Sequence, residues 1–147
     1  MNISDRSCPI FRRQVMVISD CSPEECSKWI RETFNLPEES EAGPCKDWSG
    51  GTIILQAPNG AKFYIVWVEN SKDLNSIRHE ALHLANSILD HADVEVTNHD
   101  TELHSYYGTY WIGQIEGAIK EGKKRASDKK RKKDPKRIRK TVRKCAG

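Results

Sequence analysis

The feature that most constrains this chain is the segment His79-Glu80-Ala81-Leu82-His83, an H-E-x-x-H pattern within a stretch of helical periodicity. Residues four apart lie on the same face of an α-helix, so His79 and His83 can present two imidazoles to one metal ion. Glu80 projects about 100° round the helix from His79, which puts a carboxylate beside that ion. The pattern therefore predicts a zinc site with these two histidines as ligands.

The periodicity around the motif predicts which face of the helix enters the core. One broad apolar arc contains Ile77, Ala81, Leu82, Ala85, Ile88 and Leu89, and His79, His83, Asn86 and Asp90 lie on the other side. Because the core takes the apolar arc, we expect the histidines to face a cleft. The pattern alone would also fit a surface helix with two solvated histidines.

A zinc ion that activates water needs a third protein ligand and an open fourth position. Glu102, in the first turn of the last predicted helix, is the predicted third ligand, and His99 is the alternative if that helix begins earlier. Asp90 and His91 lie about 10–12 Å along the helix axis from His83, too far to reach the same ion.

The flanking sequence predicts an α+β fold, in which a small sheet with antiparallel strands packs against the motif helix and a second long helix. Ser22-Pro23-Glu24-Glu25 has the residues of a helix start, and Asn59-Gly60 suggests a turn between two β-rich segments. The expected elements are a strand at 14–18, a helix at 22–35, a hairpin of 52–56 and 62–68, the motif helix from about Lys72 to His91 or Ala92, and a helix from Asp100 to about Lys124. The second hairpin strand is apolar almost throughout, so we expect protein on both of its faces.

The charge of the chain is divided between two regions. The net charge is +3 in 147 residues, but residues 120–147 contain 15 Lys and Arg against three acidic residues, a net charge of +12. The rest has nine basic and 18 acidic residues, a net charge of −9. We predict one domain at 1–124 and a basic tail at 125–147 that binds a polyanion such as nucleic acid, or an acidic protein. A tail that only adds solubility is the alternative.

The composition indicates no membrane association. No apolar segment is long enough to span a bilayer, and the first residues lack the apolar stretch of a secretory signal. The five cysteines are irregularly spaced, which favours reduced, mostly buried thiols. These features together predict a cytoplasmic protein.

The expected strand hairpin, the H-E-x-x-H helix and a following helix that opens with Glu102 together resemble the gluzincin branch of zinc metallopeptidases. The sequence also resembles small phage-encoded zincin-like proteins, through R-H-E-A-L-H at 78–83 and D-x-E-L-x-x-Y-Y at 100–107, over about residues 50–120. The resemblance implies a peptidase of the host cytoplasm, with a peptide or protein substrate and a possible association with the virion. A non-enzymatic phage morphogenesis or nucleic-acid-binding protein with a structural zinc site is the alternative. A metal-free binding module is the third hypothesis.

The resemblance also implies roles for individual residues. His79, His83 and Glu102 would hold zinc, and Glu80 would be the general base. Tyr106 stands where related enzymes often have an aspartate that orients a zinc histidine. Tyr106, Tyr107 and His104 are candidates to stabilise the developing oxyanion. An extended substrate would pair with the edge of strand 62–68 or of strand 52–56.

Overall fold

The computed structural model describes residues 1–8, 10–94 and 101–132 of the chain. The alternative ligand His99, the predicted helix start at Asp100 and most of the predicted basic tail lie outside these ranges. Within them, no helix is both long and apolar enough to cross a bilayer. Cys8, Cys21 and Cys26 are buried free thiols, and the free thiol of Cys45 is exposed.

The described residues form an α+β structure with three helices and one four-stranded mixed sheet, which confirms the predicted fold class. Its elements are β1 (Asn2–Ser7), β2 (Gln14–Ser19), α1 (Pro23–Phe34), β3 (Gly50–Gln56), β4 (Lys62–Val68), α2 (Leu74–Asp90) and α3 (Thr101–Lys132). The strand order is β1-β2-β4-β3. The β2–β4 pair is parallel, and the two outer pairs are antiparallel.

The two central strands, β2 and β4, separate two hydrophobic clusters. Alternate residues of a strand point to opposite faces, so Val66 packs with α2 and α3 whereas Ile65 and Trp67 pack with α1. Residues 64–68 are all at most 1% exposed, which confirms the prediction that β4 has protein on both faces.

Helix α1 begins and ends where local chemistry predicts. Ser22 accepts a hydrogen bond from the Glu25 backbone N–H, and the Glu25 carboxylate accepts one from the Ser22 N–H. This reciprocal capping satisfies two donors that a helix start leaves free. Asn35 ends the helix in the left-handed conformation, with φ of 51°.

The predicted apolar arc of the motif helix α2 included one residue, Leu82, that is not in the core, and omitted one that is. Leu82 is 42% exposed, whereas Leu84, which was not predicted for the core, is fully buried. Leu84 lies only about 20° round the helix from the buried Ile77, so it shares the core-facing side. Leu82 instead points at α3, where a Cβ added to Gly108 would lie 2.7 Å from its Cδ2.

Helix α3 is longer than predicted, and strand β1 was not predicted at all. The helix continues to Lys132, eight residues past its predicted end at Lys124, and crosses the predicted boundary between 124 and 125 without a break. The first proline after its start is Pro135, so no strong helix breaker falls within 125–132. β1 pairs with β2 from Asn2↔Ser19 to Ser7↔Gln14, although Ile3 is its only aliphatic residue.

Candidate metal centre and cleft

The two motif histidines meet on the exposed face of α2. His79 and His83 are one turn apart, and their Nε2 atoms lie 2.9 Å from each other. Their ring centroids are 4.5 Å apart, with the planes at 81°. At this distance the Nε2–H of one ring donates to the Nε2 lone pair of the other, so the two ring nitrogens face each other directly.

A cleft of about 730 Å³ lies beside the histidine pair. It is bounded by α2, by the start of β3 and by the segment that precedes β3. Its walls are Asp47, Trp48, Ser49, Gly50, Thr52, Asn75, Ser76, His79, Glu80, His83 and Ser87. A hydrogen bond of 2.8 Å between the Ser49 and Ser76 hydroxyls joins the segment before β3 to α2 at the cleft.

Glu80 projects from α2 toward strand β3 and is only 5% exposed. The Thr52 hydroxyl donates to Glu80 Oε2 at 2.9 Å and also lies 3.1 Å from the Glu80 carbonyl oxygen. Gly50 permits this close approach, because a Cβ at that position would lie 3.0 Å from Glu80 Cγ. A carboxylate this buried is rare unless it is paired, and here a hydroxyl of the neighbouring strand provides the pairing.

The structure does not bring Glu102 to the histidine pair. Glu102 is exposed in the first turn of α3 and is not part of the cleft wall. His104 Nε2 contacts Asn86 Oδ1, so His104 marks the side of α3 that faces α2. Glu102, two positions earlier, projects about 160° round the axis from His104. Within the described ranges, no group of three His, Cys, Asp or Glu side chains is placed to hold a metal ion.

The remaining predicted site residues have other environments. Tyr106 is 74% exposed and does not line the cleft. Tyr107 is buried, with its hydroxyl 3.3 Å from Cys8 Sγ, and burial raises its pKa well above the usual value. Its hydroxyl therefore belongs to the core and is not free to stabilise an oxyanion. His91, which lies too far along α2 to share an ion with His83, has Nδ1 2.8 Å from the Tyr64 hydroxyl.

The sheet order decides between the two strands that were predicted to present an edge to substrate. β4 pairs with β2 on one side and with β3 on the other, so the prediction of an edge at 62–68 was wrong. Among the described residues β3 pairs only with β4, which leaves its other edge beside the cleft.

Known protein families, curated proteins and solved structures give no match to this chain. We therefore infer its function from the residues of the cleft. Sequence reasoning missed several of them, above all Thr52 and Gly50, which position Glu80, and Trp48, which is half-exposed in the wall. The Gly50-Gly51-Thr52 sequence was a usable signal, because two adjacent glycines at a strand start allow another chain segment to approach closely.

Proposed function

We propose that this protein is a zinc-dependent metallopeptidase, in which His79 and His83 hold the metal and Glu80 is the general base. The observation that carries the proposal is the 2.9 Å separation of the two Nε2 atoms, beside a cleft that also contains the Glu80 carboxylate. A helix that only exposed two solvated histidines would not need this close approach of the two rings, nor a buried glutamate in the wall of the same cleft.

The imidazole pair fits zinc with a small adjustment. With Zn–N bonds of about 2.0–2.1 Å at a tetrahedral angle, the two nitrogens would be about 3.3 Å apart. The observed 2.9 Å therefore needs an opening of about 0.4 Å, which small rotations of the two rings provide. Zinc held there would supply a Lewis acid and make a water molecule in the cleft far more acidic.

Glu80 has the environment that a general base requires. An ionised carboxylate has about four lone-pair positions, and the Thr52 hydroxyl takes one of them at Oε2. The remaining positions can accept a proton from water in the cleft and return it to a leaving amine. Thr52 is a positioning residue, because it fixes the direction of the carboxylate without facing a reacting atom.

A peptide is the substrate that the cleft fits best. The edge of β3 with which no described residue pairs offers backbone donors and acceptors to an extended chain, as in other complexes that add a strand to a sheet. Gly50 and Thr52 belong both to this strand and to the cleft wall. A peptide paired with β3 would therefore pass Glu80 and the histidine pair.

We propose Glu102 as the third ligand. Because Glu102 projects away from the side of α3 that faces α2, this requires the first helical turn of α3 to rotate toward α2. His104 already faces α2 and is the competing donor. Zinc content measured by mass spectrometry on Glu102→Gln and His104→Ala separates the two. Loss of zinc in Glu102→Gln alone supports Glu102 as the third ligand. Loss of zinc in His104→Ala alone shows that His104 is the third ligand instead.

The proposal is tested by measuring zinc and peptide hydrolysis on the same preparations. Wild type should contain about one zinc per chain, and His83→Ala should lose it. Glu80→Gln should keep the metal and lose hydrolysis of a peptide library by at least about 10²-fold, because it removes the proton acceptor. Wild-type hydrolysis by the Glu80→Gln variant would exclude Glu80 as the base.

A non-enzymatic protein with a structural zinc ion is the second candidate, favoured by the position of Glu102 outside the cleft. In that case chelation should lower Tm strongly, and no peptide should be cleaved at any zinc concentration. Absence of zinc from every preparation would favour a metal-free binding module.

A further inference from the structure

We propose that the C-terminal part of α3, residues 120–132, is a helical binding site for the phosphate backbone of duplex nucleic acid. This cationic segment contains eight Lys and Arg against two acidic residues. It is the direct continuation of the helix that packs on the sheet. The inference does not depend on zinc or on the proposed peptidase activity.

The core-facing part of α3 ends at Gly122, near the start of this segment. Gly122 is buried, and a Cβ there would lie 3.2 Å from Asn2 Cβ, so the helix lies directly on β1 at this point. Every described residue from Lys123 to Lys129 is exposed except Ala126, which is half-buried. The ten residues from 123 to 132 extend about 15 Å along the helix axis. Residues 123–129 therefore have little role in the core.

One of the two acidic residues is neutralised from within the protein. Both carboxylate oxygens of Glu121 contact the Arg6 guanidinium, at 3.0 and 3.1 Å. Arg6 also donates from Nε to the Gln114 carbonyl at 3.2 Å, which fixes β1 to α3. The charge of Glu121 is thus paired with Arg6 of β1. Asp128 is the one remaining acidic side chain in the segment.

The charged positions surround the helix. At about 100° per residue, Lys120 and Lys124 lie about 40° apart on the side away from Gly122, and Lys129 lies on the opposite side from Lys120. All three lysine side chains are exposed. A helix with cations on every side can contact phosphates of both strands, because the major groove of a duplex admits an α-helix.

The composition favours duplex nucleic acid over other acidic partners. No aromatic residue follows Trp111 in the sequence. Binding of single strands depends on stacking of bases on aromatic side chains, and protein interfaces have an apolar, aromatic-rich centre. Backbone binding to a duplex needs only positive charge at the right spacing and reads no base sequence.

The test is fluorescence anisotropy of a labelled 20-base-pair DNA duplex of arbitrary sequence, titrated with the full-length chain between 50 and 200 mM NaCl. Each neutralised phosphate contributes about −0.9 to the slope of log K against log salt. We expect a slope steeper than about −5 for wild type, a loss of about 10³-fold in affinity across that range.

The decisive variant is K120Q/K124Q/K129Q, with K28Q/K46Q/K72Q as the matched control. The first should make the slope shallower by about three and the second by less than about one. Glutamine keeps helix propensity, and circular dichroism checks that both variants fold. Equal weakening by the two variants, or no wild-type binding at 50 mM NaCl, overturns the proposal. Tighter binding to single-stranded DNA, or displacement by polyglutamate at equal charge, assigns the segment to another partner.

Discussion

Replacing Thr52 by valine should destabilise the protein through Glu80 alone. Valine has nearly the shape of threonine, so the substitution leaves the packing of β3 intact and removes only the hydroxyl. That hydroxyl donates to the carboxylate of Glu80 at 2.9 Å, and the side chain of Glu80 is 5% exposed. In the valine variant a methyl group would occupy the position of the hydroxyl, so water could replace the lost donor at Oε2 only poorly, although the cleft remains open to the rest of the carboxylate.

The expected cost follows from the charge of the acceptor. A hydrogen bond to an ionised group contributes about 1.5–3 kcal/mol, and an acceptor left buried without a donor costs about as much. We expect Thr52→Val to lower the free energy of unfolding by about 2 kcal/mol at neutral pH without metal. For a chain of this length, that corresponds to a decrease in Tm of roughly 4–8 °C.

The assay is urea denaturation followed by circular dichroism, with Thr52→Ser and Thr33→Val as controls. Serine keeps the hydroxyl, and Thr33 is exposed on α1. The free energy of unfolding of each control should therefore stay within about 0.5 kcal/mol of the wild-type value. A Thr52→Val variant as stable as Thr33→Val would show that the hydroxyl does not stabilise Glu80, and would remove the positioning role given to Thr52.

Three further outcomes are expected. Gly50→Ala should displace the Glu80 side chain, whose Cγ would lie 3.0 Å from the new Cβ, and reduce peptide hydrolysis at least about tenfold with little loss of zinc. Gly113→Ala, where an added Cβ meets nothing within 4 Å, should raise the free energy of unfolding by about 0.5–1 kcal/mol in urea titrations. Burial by itself would raise the pKa of Asp20, but hydrogen bonds from Ser71 and Asn2 lower it further than burial raises it. A carboxyl whose pKa is lowered in the folded state stabilises the fold at pH values above its unfolded pKa of about 3.9. This contribution is lost as the pH falls through and below that value. Asp20→Asn should therefore make the free energy of unfolding less dependent on pH between about pH 5 and 2.

Local signals in the sequence predicted the elements that local chemistry determines. The Ser22 capping box, the Asn59-Gly60 turn and the four-residue spacing of the histidines each involve residues close in the chain, so their geometry follows from sequence. β1 could not be predicted in this way, because it has almost no apolar pattern. It is a strand because β2 provides a partner and α3 covers it.

The parts of the site that were not predicted depend on how distant elements pack. Leu82 was expected in the core but contacts α3, where Gly108 allows the two helices to approach. That contact and the one between Asn86 and His104 set the register of α2 against α3. With this register, residues near 107 lie level with His83, and Glu102 lies about 7 Å further along the axis. No spacing within one helix contains that information.

The bond between Thr52 and Glu80 also links recognition to chemistry. Within the described ranges β3 has a partner strand on one side only, and its third residue, Thr52, holds the side chain proposed to accept the proton. A chain that extended the sheet at this side would bond to the backbone of the same strand that carries Thr52. Any displacement of Thr52 would be transmitted to the carboxylate through the hydroxyl, so occupation of the sheet edge and orientation of the base would be coupled.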